Sequence, residues 1–151
     1  MYFVDRNKIE KVLCHIEELL ALYQKEENWH KDCIHSLALS RLSHDIIEGI
    51  IDVGNTMIDG FIMRDPGSYE DIIDIMDDEK VITADMTDRI KKVIELRQMI
   101  VREFISVDTN VITSTLNEAF EALQLFPEKV RHYLEHELGP VSAFLPADEE
   151  A

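Results

Sequence analysis

Hydrophobic positions along the chain recur at helical spacing. In the first segment Ile9, Val12, Leu13, Ile16, Leu19, Leu20 and Tyr23 fall within an arc of about 120° when each residue turns by about 100°. That pattern predicts an amphipathic helix over residues 5–25. Lys25 to Lys31 is polar around Trp29 and reads as a connection. A second helix is predicted from Cys33 to Ile62, where Ile46, Ile47, Ile50, Ile51, Val53, Met57, Ile58 and Phe61 cover about 160°. So wide an apolar face predicts a central helix, packed on two sides or set at a subunit interface.

Asp65-Pro66-Gly67-Ser68 is the clearest break, because Pro and Gly set turn geometry. Ser68 can cap the next helix, with Asp71 at the reciprocal position, and this predicts a short helix from Tyr69 to Asp78. Thr83 is the expected cap of a fourth helix running to Phe104, with Asp85 suited to its positive end. Asp108 or Thr109 starts a fifth, whose inner face carries Ile112, Leu116, Ala119, Phe120 and Leu123. Pro127 either kinks that helix or opens a sixth piece ending near Leu138. Gly139-Pro140 ends regular structure, and no alternating strand pattern appears. The expectation is an all-α antiparallel bundle of about five helices, one domain over residues 1–138, followed by an acidic flexible tail over 139–151.

Composition leaves that picture intact and narrows the function. With 46% hydrophobic and 30% charged residues, 151 residues suffice for one real core. Cys14 and Cys33 are too few for a disulfide framework and read as free thiols. The N-terminus lacks the basic and apolar regions of a signal peptide. The longest apolar candidate, Ile46 to Met63, is interrupted by Glu48, Asp52 and Asp59, so no membrane span and a cytoplasmic location are expected. A net charge of −16 argues against general adhesion to nucleic acid or anionic membranes. Against that background Arg89, Lys91, Lys92, Arg97 and Arg102 form a basic island on the fourth helix.

Arg97 is the most informative position. Ile90, Val93, Ile94, Val101 and Phe104 share one helix face, and Arg97 falls in its middle. A guanidinium cannot shed its charge, so burial there requires carboxylate or backbone partners. Either Arg97 is a structural arginine paired with an acid of another helix, or it is a site arginine that binds phosphate. The second helix carries Asp45, Glu48, Asp52, Asn55 and Asp59 on the face opposite its isoleucines. That stripe is a solvated face, or Asp52 or Asn55 turns inward to meet Arg97 at a cleft. No metal or cofactor is expected. Glu27-Asn28-Trp29-His30 alone fits Glu-x-x-His, in a connection, and His132 with His136 reads as a surface pair. His44 flanks the polar stripe, and the usual nucleotide-binding loops are absent from the sequence.

The helix order, the Asp-Pro-Gly-Ser-Tyr turn and the segment Ile94-Glu95-Leu96-Arg97-Gln98-Met99-Ile100-Val101 together resemble the HepT-like branch of the HEPN superfamily, over about residues 3–130. The resemblance implies a homodimeric helical domain of a toxin–antitoxin lineage, related to metal-independent ribonucleases and partnered by a nucleotidyltransferase-type antitoxin. The family segment reads Arg, four residues, His, one residue, Tyr. Arg97 matches the arginine, whereas Arg102 stands at the histidine position and Phe104 at the tyrosine position. An arginine cannot exchange a proton near neutral pH, and Phe104 lacks the hydroxyl that the partner modifies in some relatives. The expectation is therefore a degraded motif with weak or absent nuclease activity and a role in RNA or protein binding around Arg97 and Arg102. Residual RNA cleavage with a base from elsewhere, and an interaction module without any nucleic-acid role, remain the alternatives.

Overall fold

The computed structural model describes residues 4–138. The described chain is entirely helical: α1 Arg6–Lys25, α2 Cys33–Gly60, α3 Tyr69–Asp78, α4 Ala84–Arg97 and α5 Thr109–Leu138. The acidic segment 139–151 lies outside the described residues.

The helix starts follow local chemistry. Asp5 accepts from the Lys8 amide at 3.0 Å, Asp32 from the His35 amide at 2.8 Å and Ser68 from the Asp71 amide at 3.0 Å, each satisfying an orphan donor of a first turn. Thr83 departs from expectation: it precedes α4, but its side chain makes no capping bond, and its carbonyl instead receives the Thr87 hydroxyl at 3.1 Å. At the other end α2 stops two residues before the expected Ile62, because Ile62 turns left-handed at φ 55° and lets the Met63 amide reach the Ile58 carbonyl at 2.9 Å. Pro127 opens no sixth piece. It is buried inside one continuous α5, and the lost backbone bond is outweighed by packing on both sides of it.

Side-chain links between helices fix their directions. Lys8 meets Asp52 and His15 meets Asp45, so α2 runs antiparallel to α1. Tyr23 bonds Asn117 at 2.7 Å while Arg131 grips Glu10 and Glu17, so α5 also runs antiparallel to α1. The core is built from Ile9, Leu13 and Ile16 of α1, Ile46, Ile47, Ile50 and Met57 of α2, Ile73 and Met76 of α3, Ile90 of α4 and Phe126 of α5. α2 touches each of the other helices, as its wide apolar face required. Trp29 does not float in a polar connection: it is buried on Tyr23, the rings stacked 6.0 Å apart, with its indole N–H on the Tyr23 carbonyl. Among the described residues no helix is long and apolar enough to cross a membrane.

Candidate functional site

The expected run of α4 to Phe104 breaks at the arginine. After Arg97 the chain widens into a π-turn over Gln98–Arg102, closed by the Glu103 amide on the Gln98 carbonyl at 3.1 Å, and then a 3₁₀ turn over Phe104–Ser106. In an α-helix residues five apart are separated by about 140°. The wider i→i+5 turn reduces that separation, and Arg102 ends it as an exposed residue. Phe104 does not join the apolar face of α4. It is 69% exposed, because the widened turn has rotated it off that face, while Leu96 is buried instead.

Arg97 itself sits at the edge of the core rather than in the middle of it. Its Nε donates to Glu48 Oε1 of α2 at 2.8 Å, and its guanidinium carbon lies 4.7 Å from the ring centre of Tyr69, the first residue of α3. The hydrogen bond and charge of Glu48 raise the guanidinium pKa above its ordinary value, so Arg97 is a permanent cation. Stacking on an aromatic face and a bond through Nε alone leave Nη1 and Nη2 without hydrogen bonds to the described residues. The fork that would grip a phosphate bidentately is unused.

The carboxylate on Arg97 thus comes from the predicted stripe, but from neither residue expected. Asp52 faces α1, 3.8 Å from Lys8 Nζ, and Asn55 is exposed on the next turn. Glu48, one turn earlier, reaches α4. His44 lies a further turn back on the same stripe, with Nε2 3.4 Å from the oxygen that holds Arg97. Beside them Asp45 takes His15 at 3.0 Å and Arg41 at 2.8 Å; burial works to raise its pKa, but these bonds outweigh it and the carboxyl stays below its ordinary value.

The basic island is smaller than its sequence suggests. Lys91 is held by Asp74 at 3.0 Å and Arg97 by Glu48, which leaves Arg89, Lys92 and Arg102 as exposed bases without an ion pair among the described residues. His132 and His136 stack ring on ring, 6.2 Å apart, on the exposed side of α5. Among the described residues no three His, Cys, Asp or Glu side chains gather as a metal site. A cleft of about 490 Å³ lies elsewhere, between the end of α1 and the start of α5. Its Tyr23 hydroxyl is already bonded to Asn117, so it offers less to a ligand than the open fork of Arg97. Glu48, His44 and Tyr69 were the site residues missed by sequence reasoning. The i, i+4 spacing of His44 and Glu48 was the one available signal for two of them.

This order of helices, with the arginine closing α4 and a loosened turn after it, is the HEPN bundle. A tri-AMPylated HEPN toxin of Shewanella oneidensis in complex with its MNT antitoxin superposes with a TM-score of 0.69 at 18% identity, over 83% of this chain and 95% of that one. A toxin–antitoxin structure with AMP-PNP superposes with a TM-score of 0.70 at 17% identity, over 81% of this chain and 96% of that one. At such identities these establish the fold. Within that class the chain belongs to the HepT-like ribonuclease family, whose model matches residues 9–130. It is 51% identical over 144 residues to YutE of Bacillus subtilis (strain 168), provisionally named an RNase, covering 95% of this chain and 99% of the relative. The solved structure of YutE, described as a cytosolic protein of unknown function, superposes with a TM-score of 0.91 over 95% of this chain.

Proposed function

We propose that this protein is a cytoplasmic, homodimeric RNA-binding member of the HepT-like toxin lineage, in which the family's cleavage step at the Arg-x4-His-x-Tyr positions is weakened or lost. The observation that carries the reading is the state of Arg97: fixed by Glu48 and Tyr69, yet with Nη1 and Nη2 open. Arg102 adds a second, exposed cation one π-turn on and takes the place of the proton-transfer histidine. A phosphodiester fits two such groups.

Dimerisation is supported by apolar surface. Ile34 and Leu37 at the start of α2 are 75% and 71% exposed, and Ile105 before α5 is 90% exposed. A bond of 3.2 Å from Thr109 to Ser36 sets these two segments side by side. A nucleotidyltransferase-type antitoxin is the matching partner, because a related fold was solved in complex with an MNT antitoxin. Control by a hydroxyl at position 104 is not available to Phe104.

Binding of a structured RNA, followed against salt, tests the reading. Two arginines per protomer, four per dimer, predict a slope of log K on log salt near −3 at about −0.7 per phosphate contact. Arg97→Ala should weaken binding at least tenfold. Binding that ignores both salt and Arg97 would sink the proposal and favour a protein-interaction surface. The family positions have their own test: Arg102→His with Phe104→Tyr should raise metal-independent cleavage above that of the natural sequence.

A further inference from the structure

Five of the described histidine environments can be compared with that of His44. His15 is held by Asp45, His35 by Asp32, His30 lies near Thr113, and His132 and His136 stack on each other at the far end of α5. His44 alone lies against the Arg97 cluster. Its Nε2 is 3.4 Å from Glu48 Oε1, the atom that accepts from Arg97 Nε at 2.8 Å. One carboxylate oxygen therefore lies against an imidazole and a guanidinium together, and Nδ1 of that imidazole carries no bond to the described residues. An imidazole beside a cation with an open fork brings together the two groups that proton transfer to a phosphodiester uses.

We infer that His44 is a catalytic residue of the Arg97 site, supplying from α2 the proton transfer that position 102 has lost, and that it gives the protein a slow metal-independent cleavage of RNA. The inference rests on the reading that RNA binds at Arg97. In the reaction His44 takes the proton of a ribose 2′-hydroxyl, and O2′ bonds to the adjacent phosphorus. The bond from phosphorus to O5′ breaks, its electron pair goes to O5′, and the proton held by His44 is delivered there. The products are a 2′,3′-cyclic phosphate and a 5′-hydroxyl, with no other reactant consumed. Arg97 Nη1 and Nη2 meet the charge that grows on the non-bridging oxygens.

The experiment incubates the full chain with an end-labelled structured RNA in EDTA, reading cleavage and RNA retention in the same samples. The expected result is slow formation of cyclic-phosphate ends, reduced about 100-fold or more in His44→Gln with retention changed less than twofold. His44→Gly should regain part of the rate on addition of free imidazole, a response that a folding defect would not give. Full-rate cleavage by His44→Gln, or RNA retained through Arg97 but left uncut by the natural sequence, overturns the inference alone. RNA not retained at all overturns the reading on which it rests.

Discussion

Replacing Gly54 by alanine tests how the bundle builds its site. Gly54 is buried in α2, where a Cβ would stand 2.3 Å from Ile72 Cγ2 and 3.5 Å from Met76 Sδ of α3. Carbon atoms rest at about 3.5 Å or more, so α3 must move by roughly 1 Å or Ile72 must leave its rotamer. Such overpacking costs about 1–3 kcal/mol, and the gain of about 1 kcal/mol from replacing a helical glycine offsets only part of it. A net loss of up to about 2 kcal/mol should lower the urea midpoint by up to roughly 1 M. Tyr69, one turn before Ile72, is the floor under Arg97, so the same shift should also weaken RNA binding. Gly49 is the milder comparison, since its Cβ would meet Ile16 Cδ1 at 3.0 Å and Val12 Cγ1 at 3.2 Å, and Gly49→Ala should cost less than Gly54→Ala. In the Ile72→Leu background, which removes the clashing methyl, Gly54→Ala should cost less. An unchanged midpoint in Gly54→Ala, or equal costs in both backgrounds, would show that α3 is not held against α2 as described.

Ile62 adopts φ 55° with its side chain 72% exposed, so Ile62→Gly should relieve backbone strain at little packing cost and raise the melting temperature by roughly 2 °C; a decrease would refute the strain. Asp71, gripped by both arms of Arg64 and by the Gly67 amide, has its carboxyl lowered to about 2. A depressed carboxyl contributes stability above its unfolded pKa near 4 and loses it as pH falls toward about 2. Thermal melts should show the natural chain falling more steeply across that window than Asp71→Asn, and parallel curves would contradict the assignment. Glu48→Gln keeps an acceptor for Arg97 Nε but removes a negative charge that would repel a phosphate on the Arg97 fork. That is worth about 1 kcal/mol, so RNA affinity should rise about fivefold at low salt; unchanged or weaker affinity would mean that no phosphate approaches Arg97.

Much of the bundle was legible because helical periodicity and caps are local. Tyr69–Asp78 was bounded correctly by Ser68 and the preceding Pro-Gly, and the expected helix over 5–25 is α1 to within one residue at its start. The break after Arg97 was not legible. No Gly or Pro lies between Leu96 and Val107, and nothing in their propensities separates an α-turn from a π-turn. Beyond the break Met99 Sδ takes the Asp108 amide at 3.4 Å, a contact across nine residues that helical periodicity does not foretell. The partner of Arg97 was misplaced for a related reason. Asp45, Glu48, Asp52 and Asn55 share one stripe, and only the register of α2 against α4, set by packing 49 residues apart in sequence, selects Glu48.

That register bears on what the site is for. Were Arg97 a purely structural arginine, a carboxylate matched to its terminal fork would be expected. Instead the bond runs through Nε, and the same Glu48 oxygen lies 3.4 Å from His44 Nε2. Arg131 supplies the contrast within the same molecule. All three of its nitrogens are committed, Nε to Glu10 and both Nη atoms to Glu17 at 2.8 Å, and its charge is spent on joining α5 to α1. A molecule of net charge −16 has ample carboxylates to close Arg97 in the same way. Its fork is nevertheless left open at the end of α4, beside a π-turn that closes on the exposed Arg102.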